Sequence, residues 1–273
     1  MCDFCTQHGE GKKWYLQAKN YDREILSDET WRQMMKGYET PEENAVNRIS
    51  EFDKQVAADF TAVRNMLMSG VEQQKKIAWG QVVPLEDAEQ IIDMSTGIVR
   101  LSCACRKLRG VHNARFCFGL HVIPKELRPA ILESPDYSND LEVLTKEEAK
   151  EAFREMDREG LVHLVLSQTP FIKAICNCDA TYCGALRNRS RFNYQGSFYK
   201  AEYVATIDWE KCDGCRECMK VCNFGDISYS PAVEKCYINQ FLCFGCGVCR
   251  SVCPTDAITL HDRNAIPALS NEW

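Results

Sequence analysis

Cysteine is the residue type that could do chemistry in this chain of 273 residues: there are 17, and eight of them repeat one spacing. The run Cys212-x2-Cys215-x2-Cys218-x3-Cys222 returns 31 positions later (243 minus 212) as Cys243-x2-Cys246-x2-Cys249-x3-Cys253, followed by Pro254. A Cys-x2-Cys-x2-Cys run wraps a tight loop around a cubane 4Fe-4S cluster. It aims three thiolates at three irons while the intervening amides face the inorganic sulfides, and the fourth iron takes its ligand from elsewhere. With two such runs the fourth cysteine of each crosses over. Cluster I is therefore expected on Cys212, Cys215, Cys218 and Cys253, and cluster II on Cys243, Cys246, Cys249 and Cys222. A disulfide framework would not account for two copies of one spacing.

The stretches Lys211 to Cys222 and Leu242 to Ile258 resemble the bacterial-type two-cluster ferredoxin module, over about the last 75 residues. That resemblance implies one-electron transfer at low potential. One departure is Asn223, where the family usually has proline after the fourth cysteine. Proline there shapes the exit turn and supplies no ligand, so the departure bears on tuning of cluster II and not on its existence.

A second set of cysteines lies upstream: Cys103, Cys105, Cys117, Cys176, Cys178 and Cys183. A third iron-sulfur cluster is preferred for them, because a nearby thiolate nest would extend the electron path. Zinc is the alternative, although structural zinc usually takes Cys-x2-4-Cys spacing and not Cys-x-Cys. Free or redox-switching thiols are the third reading. If four ligate, symmetry favours Cys103, Cys105, Cys176 and Cys178, with Cys117 and Cys183 able to replace one of each pair. This region loosely resembles a cysteine-rich domain fused to ferredoxin modules in anaerobes, a likeness that brings no activity with it. Cys2 and Cys5, with His8, could form a metal half-site or a flexible terminal stretch. Cys236 reads as a buried structural thiol, and His112, His121 and His163 as surface or core imidazoles. Arg187, Arg189 and Arg191 read as a solvated basic linker, with an anchor for an acidic partner or substrate carboxylate as the alternative.

These residues need elements to position them. Pro41-Glu-Glu opens an amphipathic helix whose stripe Ala45, Ile49, Phe52, Val56, Phe60, Val63 and Leu67 ends near Gly70. Leu85 to Met94 is a second helix. A third is expected from Lys146 to Glu159, with Thr145 and Glu148 as a capping box and Gly160 as its stop. Gly97 to Arg106 and Phe171 to Asp179 read as strands ending in Cys-x-Cys. On a strand, i and i+2 share a face, so each would present two thiols to one side. Leu161 to Leu166 and Gln81 to Val83 are further β-prone runs.

The fold class expected is α+β: an arm over 1–40, a mixed α/β domain over 41–195 and a two-cluster ferredoxin-like domain over 196–273. Hydrophobic content of 45%, charged content of 26% and net charge of -6 describe a soluble protein that would repel nucleic acid. No apolar run is long enough for a membrane span, and free thiolates need a reducing compartment, so a cytoplasmic location is expected. No Gly-rich nucleotide loop occurs. The function expected is an electron-transfer subunit serving a partner oxidoreductase, with homo-oligomer formation left open. A substrate-reducing component and a thiol-based redox sensor or scaffold are the alternatives.

Overall fold

The computed structural model describes residues 13–39, 42–77, 80–112, 114–121, 142–168, 171–194 and 198–271. Cys2, Cys5 and His8 lie outside them. The protein mixes helices and sheets, as expected of an α+β chain. Among the described residues one sheet has seven strands: β1 Gly80–Val83, β2 Ile98–Leu101, β3 Cys117–Gly119, β4 Glu142–Leu144, β5 Val162–Gln168, β6 Phe171–Cys178 and β7 Phe198–Tyr199. Their order is β4-β2-β3-β6-β5-β1-β7, antiparallel throughout except for β1 against β7.

Alternation along the strands gives the sheet two buried faces. Val83, Phe118, Val165 and Ile175 point to one side, where they meet Ile91 and Ile92 of the helix Leu85–Met94 and Phe153 of the helix Lys146–Arg158. Their sequence neighbours Val82 and Leu164, with Cys178 three positions beyond Ile175, point to the other side, against Leu186, Phe244 and Val248. The helix Lys146–Arg158 has the capping box expected: the Glu148 amide donates to Thr145 Oγ1 while the Thr145 amide donates to Glu148 Oε2 at 2.8 Å. Gly160, at φ 88°, turns the chain into β5.

Two expectations need correction. The long helix from Pro41 is two, Glu42–Ala58 and Phe60–Ile77, because Asp59 Oδ1 accepts the Ala62 amide at 2.9 Å and so caps a new start. Gly70 does not end the second helix. The described residues 13–39 are also more than an arm. Trp14 and Tyr15 are wholly buried in the first core; Trp14 Nε1 donates to Gln81 Oε1 at 2.6 Å and the Tyr15 hydroxyl to Asp87 Oδ2 at 2.8 Å.

The C-terminal part has two short antiparallel ladders, β8 Tyr203–Ile207 with β11 Ile258–Asp262 and β9 Ile227–Ser230 with β10 Lys235–Ile238. It packs directly on the first part. Gln81 Nε2 donates to the Lys200 carbonyl at 3.0 Å, and Arg250 forms a bidentate pair with Glu86 at 3.0 and 2.7 Å. Among the described residues no helix is long and apolar enough to cross a membrane.

Candidate iron-sulfur loops and thiol nest

The two cysteine runs fold as near copies. Positive φ recurs at Gly214 and Gly245, at Arg216 and Gly247, and at Gly225 and Asp256, each pair separated by the same 31 residues (245 minus 214, 247 minus 216, 256 minus 225). At Gly214 and Gly245 there is also no space for a side chain. A Cβ would lie 2.3 Å from the Glu234 carbonyl oxygen at Gly214 and 2.0 Å from that of Tyr203 at Gly245. The loops thus turn where only glycine combines the backbone conformation with so close an approach.

Each loop borders a cavity. One is lined by Cys243, Cys246 and Cys249 together with Cys222 of the other run; the second by Cys212, Cys215 and Cys218 together with Cys253. Backbone amides of Gly245, Asp226 and Ala257 donate to the sulfurs of Cys243, Cys222 and Cys253 at 3.3, 3.4 and 3.3 Å. Amides aimed at sulfur stabilise thiolate, the form that iron binds. Burial opposes it: the thiol of Cys218 is pushed up to about 12 and that of Cys246 well above its ordinary value. A bound cation resolves this conflict by deprotonating its ligands outright, so the donor sets fit cubane clusters. Cys215 is exposed whereas Cys246 is half-buried, which makes the Cys212 run the outward one. Cys236 is buried beside Cys212 and Cys218 in the same cavity wall.

Upstream, six thiols gather at one end of the sheet. Cys117 opens β3 directly opposite Cys176 of β6, and their sulfurs are 3.6 Å apart. Cys178 closes β6. Asp179 then accepts the Thr181 and Tyr182 amides at 2.8 and 3.2 Å, a tight turn that brings Cys183 back to hydrogen-bond Cys178 and to start the helix Gly184–Phe192. Cys103 hydrogen-bonds Cys117, an interaction that draws its thiol down to about 7. Cys105 is pushed up to about 12 by burial and by the charges of Cys183, Cys103 and Cys176.

Cys103 and Cys105 are not on a strand, as the sequence suggested. β2 stops at Leu101, and Cys103 begins the short helix Ala104–Lys107, held by its amide on the Ala114 carbonyl at 2.8 Å. Nor do β2 and β6 neighbour each other, because β3 lies between and puts Cys117 at the centre. The basic stretch is likewise no linker: it forms the helix Gly184–Phe192, with Arg189 5.3 Å from the Phe244 ring and Arg191 3.8 Å from Asp53. His163 is buried and bonded through Nδ1 to Asn177 Oδ1 at 2.6 Å. Sequence reading passed over Arg106 as a structural partner. It is buried, paired with Asp179 at 2.6 Å, and lies between the rings of Phe116 and Tyr182 at 4.1 and 4.4 Å. The adjacency of Arg106 to Cys105 and of Asp179 to Cys178 was the available signal.

The family described as a 4Fe-4S dicluster domain matches residues 211–257. A ferredoxin of Methanothermococcus thermolithotrophicus is 37% identical over 59 residues, 21% of this chain and 97% of that protein. The chain belongs to the ferredoxin family. Its ferredoxin module is an iron-sulfur electron-transfer unit at the C-terminal end of the described fold. Archaeal-type glutamate synthase (NADPH) of Thermotoga maritima is also 37% identical, over 63 residues. Indolepyruvate oxidoreductase subunit IorA of Pyrococcus abyssi is 35% identical over 54. These stretches are 23% and 20% of this chain but only 12% and 8% of those larger proteins.

Proposed function

We propose that this chain is an iron-sulfur electron-transfer subunit that passes single electrons to a partner oxidoreductase through two crossed-over 4Fe-4S clusters. The observation that carries this is the lining of the two cavities, each of which gathers three cysteines of one run and the fourth of the other. When bound, a 4Fe-4S cluster supplies one-electron storage. The protein does the rest. Cysteine thiolates fix position, amides on sulfur offset the negative charge gained on reduction, and the apolar wall of Ala205, Ile227, Phe244 and Val248 excludes water from the inner site. Exposed Cys215 gives a partner close approach to cluster I. One large relative is an oxidoreductase subunit by name and the other an NADPH glutamate synthase, which supports a partner of the oxidoreductase class. Cys222→Ala tests the ligation: site-resolved spectra should show cluster II damaged with cluster I intact, and loss of cluster I instead would overturn the assignment.

The six upstream thiols are read as a third iron-sulfur centre, because they exceed what one metal ion needs and adjoin the electron path. A second reading rests on the 3.6 Å between the Cys117 and Cys176 sulfurs. Bonds of about 2.3 Å in a tetrahedron place sulfurs roughly 3.8 Å apart, which suits one zinc ion on four thiolates. Metal analysis of anaerobically purified protein separates the two. About twelve irons per chain is expected for a third cubane, whereas about eight irons with one zinc would give the site to zinc.

A further inference from the structure

Asn223, which stands where ferredoxins usually have proline, makes contacts that proline could not. Its Oδ1 accepts the Ala180 amide at 2.8 Å, and its Nδ2 donates to the Gly160 carbonyl at 3.0 Å and the Val221 carbonyl at 3.2 Å. Ala180 lies in the turn between Cys178 and Cys183, and Asn223 directly follows Cys222. One hydrogen bond therefore separates the backbone carrying two nest thiols from the backbone carrying a cluster II thiol. Apolar packing encloses the same junction. Cys178 and Cys183 share a buried group with Phe244 and Val248, against which half-buried Cys246 and Val221 pack. The rings of Phe224 and Phe244 stack at 4.0 Å between the two sites. Of the eight repeated cysteines only Cys246 packs against this group; Cys243, Cys249 and Cys222 pack with the Cys212 run among Val204, Ile227 and Ile258.

We infer that the thiol nest exchanges electrons with cluster II and not with cluster I, and that Asn223 is the positioning residue that holds the two sites in register. The inference rests on the reading of the nest as a redox-active third centre. The order is then nest, cluster II, cluster I, with the exposed Cys215 end facing the partner. With both sites loaded, each transfer would oxidise the nest centre by one electron and reduce cluster II by one, the electron leaving through cluster I to the partner oxidoreductase. A low-potential one-electron donor, a reduced redox protein, would re-reduce the nest, and no bond changes and no proton is needed.

The test uses the full chain, purified anaerobically and reduced with dithionite, with iron content and electron paramagnetic resonance measured on wild type, Asn223→Ala and Asn223→Asp. Wild type should carry about twelve irons and show spin-spin broadening between the nest centre and cluster II. Asn223→Ala should keep its iron but lose that broadening, leaving uncoupled signals. Asn223→Asp keeps the acceptor for the Ala180 amide and should retain it. About twelve irons with broadening unchanged in Asn223→Ala, or with the nest coupled to cluster I, would overturn the inference and leave the third centre standing. About eight irons would overturn both.

Discussion

Two glycines show how the cysteine loops depend on single backbone positions. Gly245→Ala places a methyl group where the Tyr203 carbonyl oxygen would be 2.0 Å away, at φ 68°, so the Cys243 loop must move. Anaerobic iron analysis should show cluster II lost. Gly225→Ala has a similar φ of 73° but open space around it, and should cost only about 1 kcal/mol with full iron retained. His121 gives a different residue-scale prediction. Burial pushes its imidazole down to about 4, below the ordinary value near 6.5. The unfolded chain therefore binds the proton first as pH falls. Stability is intact above pH of about 6.5 and erodes on the way to about 4, on the order of 3 kcal/mol in total. Unfolding midpoints of wild type and His121→Phe across that range should differ in slope; equal slopes would remove His121 as the cause. At this scale the sequence was most legible in the spacing of the eight repeated cysteines, which the 4Fe-4S dicluster match at 211–257 spans, because a cluster-binding loop restricts both residue type and spacing. It was least legible for Asn223, whose partners at Gly160 and Ala180 are 63 and 43 positions away.

Elements were legible where their signals are local. The capping box at Thr145, the helix Leu85–Met94 and the apolar run of β5 all lie within the residues that encode them. The Cys-x-Cys after β2 misled for a physical reason: its β-prone residues stop at Leu101, and whether the chain continued straight was decided by the Ala114 carbonyl eleven positions on (114 minus 103). Strand order was also out of reach, since β3 is only three residues long and is fixed by pairing with β2 and β6. Between elements, the Glu86–Arg250 pair joins the helix Leu85–Met94 to the helix Val248–Ser251. Burial raises the Glu86 carboxyl, but the bonds to Arg250 outweigh it and hold the carboxyl below the usual glutamate range. Its contribution is present above that range and is lost as pH falls through the lowered value. Because the pair is partly exposed, Glu86→Gln should cost under about 1 kcal/mol. Denaturant unfolding at neutral pH checks this, and a much larger loss would mean that the helices depend on the pair.

At the scale of the whole molecule, the two parts differ in what holds them. The first has a core of large side chains, including Trp14, Phe118 and Phe153, all fully buried. The second fills much of its interior with cysteine: Cys212, Cys218, Cys236, Cys243 and Cys249 sit among Val204, Ile227 and Ile258. Iron-thiolate bonds must supply what hydrocarbon does elsewhere. Chelation should therefore abolish hydrogen-exchange protection in β8 to β11 while β5 and β6 stay protected; retained protection in β8 to β11 would refute that dependence.

The contacts of Lys13 have a consequence in time. Its ammonium hydrogen-bonds Tyr203 across 190 residues, beside wholly buried Trp14 and Tyr15. At a synthesis rate of about 5–20 residues per second, this segment waits roughly 10 to 40 s for its last partner to be made. The cysteines of the nest, from Cys103 to Cys183, emerge within that interval, in a domain that cannot yet close over Trp14 and Tyr15.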